Sequence, residues 1–385
     1  MKAAIETKGA TNVLRLFVTG DNHIGLKYNS HPARETLVAC RTEAFRGMVA
    51  KANDEDCQLF VITGDLFDNV SGMTDKQIKA VLDILSEFHG TVALLPGNHD
   101  YCVPEAKLTR QLTEAISCYH NVLLMTEERP YPLEDGVTLY PAACHSKHSE
   151  TNALGWIKQT VIPQDGGYHI GVAHGAVEGE TIDNEGKYFF MKRDELNAIP
   201  MDVWLLGHTH VPFPRTLTAD YAPTTERIFN PGTHVQTDVN CRTPGLCFLL
   251  ELSEDKTVRA KQFVSGGVRF YREEIHLHAG SMTQELAQAV AGYGPQSVLE
   301  FKLTGAVTQE ELDNLIPLEK QLESRFLECT WHDEQLGLLI SQEQVAREFP
   351  ETSFSARFLN ALLDEPKEAQ LAYDLLKSLK GGRKA

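Results

Sequence analysis

The sequence lacks any paired-cysteine motif: its eight cysteines, at positions 40, 57, 102, 118, 144, 241, 247 and 329, are scattered. That spacing excludes a thiolate zinc knuckle and a disulfide frame, and leaves the thiols as small buried hydrophobes. Long apolar runs are missing too, since no stretch approaches the ~18 residues that span a bilayer. The opening MKAAIETKGATNVLRLF has no signal-peptide core, so a cytoplasmic chain with no membrane contact is expected. Basic charge is in short supply. Lys and Arg number 36 against 53 Asp and Glu, a formal net charge of −17. An autonomous nucleic-acid binder normally carries a basic face. A nucleic-acid substrate would therefore need a local basic patch, bound metal or a partner to hold it.

What is present is an ordinary globular composition, 42% hydrophobic and 23% charged, enough for a large core. Short β-branched runs alternate with helical stretches. Val13–Thr19, Gln58–Thr63 and Thr91–Leu95 read as strands, and Glu35–Ala52 and Asp75–Phe88 as helices between them. Further strands are expected at Asn121–Met125, Val137–Tyr140, Tyr168–Ala173, Asp202–Leu206, Arg227–Asn230, Leu246–Leu252 and Thr257–Phe263. The early alternation implies βαβ units, and the strand-rich stretch after 200 extends the sheets. The fold class is α/β: two packed sheets flanked by helices. Between Phe270 and Gly294 polar residues and glycines interrupt the strand pattern. A boundary at about 272 separates a catalytic domain (1–272) from a small αβ cap (273–340) and a helical segment (341–385) suited to docking a partner.

Five short clusters sit where strands give way to loops. They are Asp21-Asn-His23, Gly64-Asp65-Leu-Phe-Asp68, Gly97-Asn98-His99-Asp100, His174-Gly175 and Gly207-His208-Thr-His210. Ligands of open α/β sheets bind beyond the carboxyl ends of the strands, so all five belong on one rim. Carboxylate, imidazole and amide oxygen suit manganese, zinc, iron or magnesium. Two such ions about 3.5–4 Å apart clamp a phosphoester for in-line displacement. Holding them so close takes a shared carboxylate, and Asp65 is the natural bridge; His208 and His210 can serve one ion each. Glycines 64, 97, 175 and 207 allow close backbone approach. His99, beside Asn98, is placed to assist the leaving oxygen. Asp68 could orient that imidazole or cap a helix.

This motif series resembles that of the calcineurin-like metallophosphoesterases, complete and in order over about residues 13–250. The resemblance implies a four-layer sandwich in which one metal takes Asp21, His23, Asp65 and His210. The other takes Asp65, Asn98, His174 and His208. It implies that a metal-bridging hydroxide attacks phosphorus, that His99 assists the leaving group, and that Asp68 pairs with His99. The segment His23-Ile-Gly25, the polar loop after it, a helix containing Arg41, and Gly64-Asp65-Leu-Phe-Asp68 are more specifically similar to the SbcD nuclease group. The YhaO-like exonuclease branch is similar in its C-terminal layout. That likeness implies a manganese-dependent DNA exonuclease or endonuclease subunit, acting in DNA repair with an SbcC-type coiled-coil ATPase. Related nucleases also form homodimers.

Several features bear on that reading without deciding it. Lys27, Arg34, Arg41, Lys187, Lys192 and Arg193 could touch a nucleic-acid backbone, though each alone reads as solvated surface. His145, His148 and His234 read as surface or supporting residues rather than ligands. Apolar stripes at Phe354, Phe358 and Leu362, and at Ala372, Leu375, Leu376 and Leu379, suit packing on the cap or docking on a partner. Two rivals stand beside the nuclease. One is a phosphomonoesterase or small-nucleotide phosphodiesterase on the same metals; the other is a non-catalytic scaffold of an ATPase complex.

Overall fold

The structure is a computed structural model that describes residues 13–381, except 27, 30, 70–72, 104–106 and 180–186. It divides into two compact units, with the boundary between Val268 and Arg269.

In the first unit the chain runs β1 (Leu14–Thr19), α1 (Arg34–Asp54), β2 (Leu59–Ile62), α2 (Asp75–Ser86), β3 (Thr91–Leu94), α3 (Lys107–Ile116) and β4 (Val122–Leu124). It continues through β5 (Tyr131–Pro132), β6 (Val137–Ala142), α4 (Gly155–Gln159), β7 (Tyr168–His174), α5 (Arg193–Ala198) and β8 (Val203–Gly207). Four strands close it: β9 (Ala222–Thr224), β10 (Ile228–Phe229), β11 (Leu246–Leu252) and β12 (Val258–Val264). Seven strands form one sheet in the order β4-β3-β2-β1-β11-β12-β9, and five form another in the order β10-β8-β7-β6-β5. Strands β1 to β4 pair in parallel, as their helical crossovers require. Strands β6, β7 and β8 do the same.

Side-chain alternation explains why the sheets stack. Leu14, Leu16 and Val18 of β1 join Leu59 and Val61 of β2 and Ile170, Val172, Val203 and Leu205 of the second sheet in one core cluster. Phe17, Phe60 and Ile62 point the other way, onto Phe45, Met48, Val81 and Leu85 of α1 and α2. Trp204 and Leu206 likewise leave the inter-sheet core to pack on Ile157 of α4 and Leu196 of α5. Period-two strands buried on both faces thus give a helix–sheet–sheet–helix sandwich. The parallel strands end together, and the loops that leave them share one rim.

The second unit contains β13 (Arg269–His278), α6 (Met282–Val290), β14 (Ser297–Val307), α7 (Gln309–Glu323) and β15 (Glu328–Leu338). Three helices follow: α8 (Gln342–Glu348), α9 (Phe354–Ala361) and α10 (Pro366–Gly381). Its sheet is wholly parallel, β13-β14-β15, with α6 and α7 on the apolar face. The interrupted stretch between Phe270 and Gly294 is in fact a ten-residue strand and a helix. Its exposed Arg272, Glu274 and His276 hide the alternation of buried Ile275 and Leu277. Helices α8 to α10 pack with Leu338 and Ile340 through Val345, Leu359, Ala369 and Tyr373. Among the described residues no helix is long and apolar enough to cross a membrane.

Candidate metal centre

The loops after β1, β2, β3 and β8, with the last residue of β7, bring the seven expected side chains together. The turn Asp21–His23 is tied to the loop after β2, with Asp21 N–H donating to Gly64 O (3.0 Å) and His23 N–H to Asp65 O (2.9 Å). Asp21, His23, Asp65 and His208 all have positive φ, at 47°, 43°, 52° and 104°. Left-handed backbone at non-glycine residues costs on the order of 1–3 kcal/mol each and clusters where function holds it in place. Two glycines make room. A Cβ on Gly97 would lie 2.2 Å from Asp65 Oδ1, and one on Gly64, itself at φ 108°, would lie 2.2 Å from His174 Nδ1.

On one side, His23 Nε2 and His210 Nε2 are 3.0 Å apart, and Asp21 Oδ1 is 3.9 Å from His210 Nε2. Asp21 also accepts from the His208 N–H at 2.9 and 3.0 Å. On the other side, Asn98 Oδ1 lies 3.0 Å from both His174 Nε2 and His208 Nδ1. Asp65 stands between them: its Oδ2 is 3.3 Å from His174 Nε2 and 3.8 Å from His23 Nε2. Its Oδ1 accepts from the His99 N–H at 2.8 Å. His174 Nδ1–H donates to Thr63 O (2.9 Å), which turns Nε2 inward.

Burial and mutual charge set the electrostatics. Burial raises the Asp21 carboxyl to about 7, and the charge of Asp65 pushes the same way. Burial also works on Asp65, but the His174 imidazole, followed by His23 and the His99 N–H, holds it well below the usual carboxylate range. His174 is buried as well, yet Asp65 raises it to about 9. Burial and then the neighbouring His23 lower His210 to about 3.

The sequence matches the calcineurin-like phosphoesterase family over residues 14–212, just over half of the chain. The chain belongs to that family. The calcineurin-like metallophosphoesterases are metal-dependent hydrolases with a dinuclear centre. Solved structures similar to this chain include TT1561 of Thermus thermophilus, at 12% identity and a TM-score of 0.42 over 66% of this chain and 100% of that one. Purple acid phosphatase PPD1 from yellow lupin (Lupinus luteus) seeds is similar at 15% identity and 0.40, over 67% and 52%. An archaeal phosphodiesterase is similar at 12% and 0.32, over 65% and 100%. Scores this low carry no weight for activity. No curated protein matches the sequence.

The donor set fits the family's two ions. Asp21, His23 and His210 offer ligand atoms within 4.8 Å of one another, and so do Asp21, Asp65 and His174. Oxygen and imidazole donors with no thiol suit a hard or borderline divalent cation.

Other expected residues fall differently. Asp68 does address His99, but through its main chain, whose carbonyl accepts from His99 Nδ1–H at 2.9 Å. Its carboxylate lies 3.4 Å from His23 Nδ1 and is held below its ordinary range foremost by that imidazole. Arg41 is not available to a nucleic-acid backbone, because it is buried on the inner face of α1. His234 is buried with its Nε2 3.1 Å from Arg41 O, and the exposed His145 is 3.9 Å from Glu128. Arg34, Lys187 and Lys192 are exposed; Arg193 lies 4.2 Å over the Phe213 ring; Lys27 is outside the described residues.

A cleft of about 540 Å³ opens over the cluster, lined also by Tyr28, Lys147, His148, Tyr188, Thr237 and Asp238. Tyr188, whose ring is 5.1 Å from those of His208 and His148, left no signal in the sequence. Asp100 did, as the fourth residue of Gly97-Asn98-His99-Asp100. Its carboxylate accepts from Gly97 N–H (2.7 Å) and Phe67 N–H (3.1 Å), clamping the loops after β2 and β3. Burial, reinforced by Asp65, pushes it up to about 6.

Proposed function

We propose that this chain is a two-metal phosphodiesterase that cuts DNA, an exonuclease or endonuclease subunit of the SbcD type. In this reading manganese is its metal and an SbcC-type coiled-coil ATPase its partner in DNA repair. The observation that supports it is the convergence of Asp21, His23, Asn98, His174, His208 and His210 around the Asp65 carboxylate. Divalent ions held by Asp21, His23, Asp65 and His210, and by Asp65, Asn98, His174 and His208, would supply Lewis-acid charge at the phosphoryl oxygens.

The chain's own groups supply the rest. With Nδ1–H of His99 spent on the Asp68 carbonyl, Nε2 is left to carry the exchangeable proton to the leaving oxygen. The Asp68 carboxylate, 3.4 Å from His23 Nδ1, favours by its charge the ring orientation that turns Nε2 toward His210 and Asp65. Exposed Lys147 and His148 line the cleft, where they can face the phosphates of a polymer. A net charge of −17 favours a partner that supplies most of the grip on DNA. For that partner the second unit offers a surface: Phe354 and Phe358 of α9, stacked at 5.6 Å, and Leu371, Leu375 and Leu379 of α10 are all exposed. Solvated apolar stripes of this kind suit a helix-on-helix interface.

The test is manganese-dependent digestion of end-labelled single- and double-stranded linear DNA, alone and with the ATPase. Degradation that Asp65→Asn abolishes is expected. Hydrolysis of bis-p-nitrophenyl phosphate with no loss of DNA under either condition would overturn the nuclease reading in favour of a small-molecule phosphoesterase.

A further inference from the structure

Arg41 is 1% exposed, and burying a guanidinium is costly unless its donors are matched. Among the described residues its hydrogen bonds go to uncharged oxygens and not to a carboxylate. Nε–H donates to the carbonyl of Asn22 at 2.7 Å, Nη1 to the Tyr28 hydroxyl at 2.9 Å, and Nη2 to Thr233 Oγ1 at 3.3 Å. The Thr233 hydroxyl in turn lies 2.9 Å from the carbonyl of Asp21 and 2.9 Å from that of Val235. Directly at Asn22 and through Thr233 at Asp21, the fork grips consecutive peptide groups of one turn. That is the turn in which Asp21 and His23 hold left-handed φ.

We infer that Arg41 is the positioning residue for one half of the metal centre, its guanidinium holding the Asp21–His23 turn so that both side chains meet His210. The inference rests on the metal-centre reading above. A positive charge this close repels cations, so its contribution is geometric: three donors in one rigid plane, a shape lysine does not reproduce. Two residues of the other half of the centre are held by contacts that do not pass through this turn. Asn98 sits on the loop clamped by Asp100, and His174 is fixed by Thr63 O. Arg41 donates to none of these residues. With the Arg41 clamp gone, the left-handed turn keeps its main-chain contacts to Gly64 O and Asp65 O but relaxes toward ordinary φ and displaces two ligands, while Asn98 and His174 stay in place.

The test uses the full chain, stripped of metal and titrated with manganese by calorimetry, with thermal unfolding run in parallel without metal. The unaltered chain is expected to take two equivalents. In Arg41→Lys and Arg41→Gln one equivalent weakens about 10- to 100-fold and the other by no more than about twofold, the range expected for groups that orient ligands. Thr233→Val, which removes the relay to Asp21, gives a smaller loss at the same equivalent. Retention of both equivalents, or equal weakening of both, overturns the inference and marks Arg41 as a packing residue only. If Arg41→Gln fails to fold, Arg41→Lys and Thr233→Val decide by the same criterion. No uptake by the unaltered chain overturns the metal-centre reading itself. Two equivalents of unchanged affinity in every variant overturn only the role of Arg41.

Discussion

Gly97→Ala places one methyl group where the bridging carboxylate sits. The new Cβ would stand 2.2 Å from Asp65 Oδ1, 2.4 Å from Asp65 N and 2.9 Å from Asp65 Cγ. A comfortable C···O approach begins near ~3.3 Å, so the carboxylate has to retreat by about 1 Å. Part of the obstacle is main chain and cannot rotate away. Overpacking of this kind costs about 1–3 kcal/mol of stability, and a 1 Å displacement of a reacting group costs about 100-fold in rate. In free energy the two are alike, about 2.7 kcal/mol for 100-fold, but a chain of ordinary stability stays folded after such a loss while its turnover nearly vanishes. Initial rates on bis-p-nitrophenyl phosphate with saturating manganese, set beside thermal melts, separate the two. Activity within about twofold of the parent would refute the reasoning, since catalysis would then not depend on where Asp65 stands.

Four further outcomes follow from the geometry. His99→Asn should lower kcat by about 10²- to 10⁴-fold, as loss of a general acid does, while calorimetric manganese uptake is unchanged. Manganese should raise the melting temperature of the native chain by mass action and do so far less in Asp65→Asn, as differential scanning fluorimetry would show. Glu319, raised to about 7 foremost by burial and then by Asp333 and Glu323, keeps its proton in the folded chain where the unfolded chain has released it. Stability should accordingly fall as pH rises from the ordinary glutamate range to about 7, and Glu319→Gln should flatten that slope in urea melts. On α10, removal of residues 366–385 would strip the buried Ala369, Ala372 and Tyr373 from their core, so truncation confounds docking with folding. The double substitution Leu371→Asp and Leu375→Asp, both exposed, should abolish co-purification with the proposed ATPase partner at unchanged melting temperature.

The convergence of these side chains was legible in the sequence because each candidate ligand sits within a few residues of a strand end, beside a glycine that lets the loops crowd together. Local spacing carried that information. What escaped depends on distant parts of the chain. An arginine in a helix reads as surface, and Arg41 is buried only because Thr233, 192 positions away, and the Asn22 carbonyl receive it. Asp68 was expected to pair with His99. The turn delivers the carbonyl and leaves the carboxylate to His23, a choice of dihedrals that residue type does not encode. Strand β13 was missed because its solvent face is charged, which dilutes the apolar signal of a half-covered parallel strand. The sandwich itself was plain from alternation, since Leu16 and Phe17 can face opposite cores only in a strand buried on both sides.

The central claim is that two cations share the Asp65 carboxylate. Anomalous diffraction from crystals grown with manganese tests it most directly. Two peaks about 3.5–4 Å apart, one beside His23 and His210 and the other beside His174 and His208, with Asp65 between them, are the predicted result. A single peak, or two that do not both contact Asp65, would contradict it.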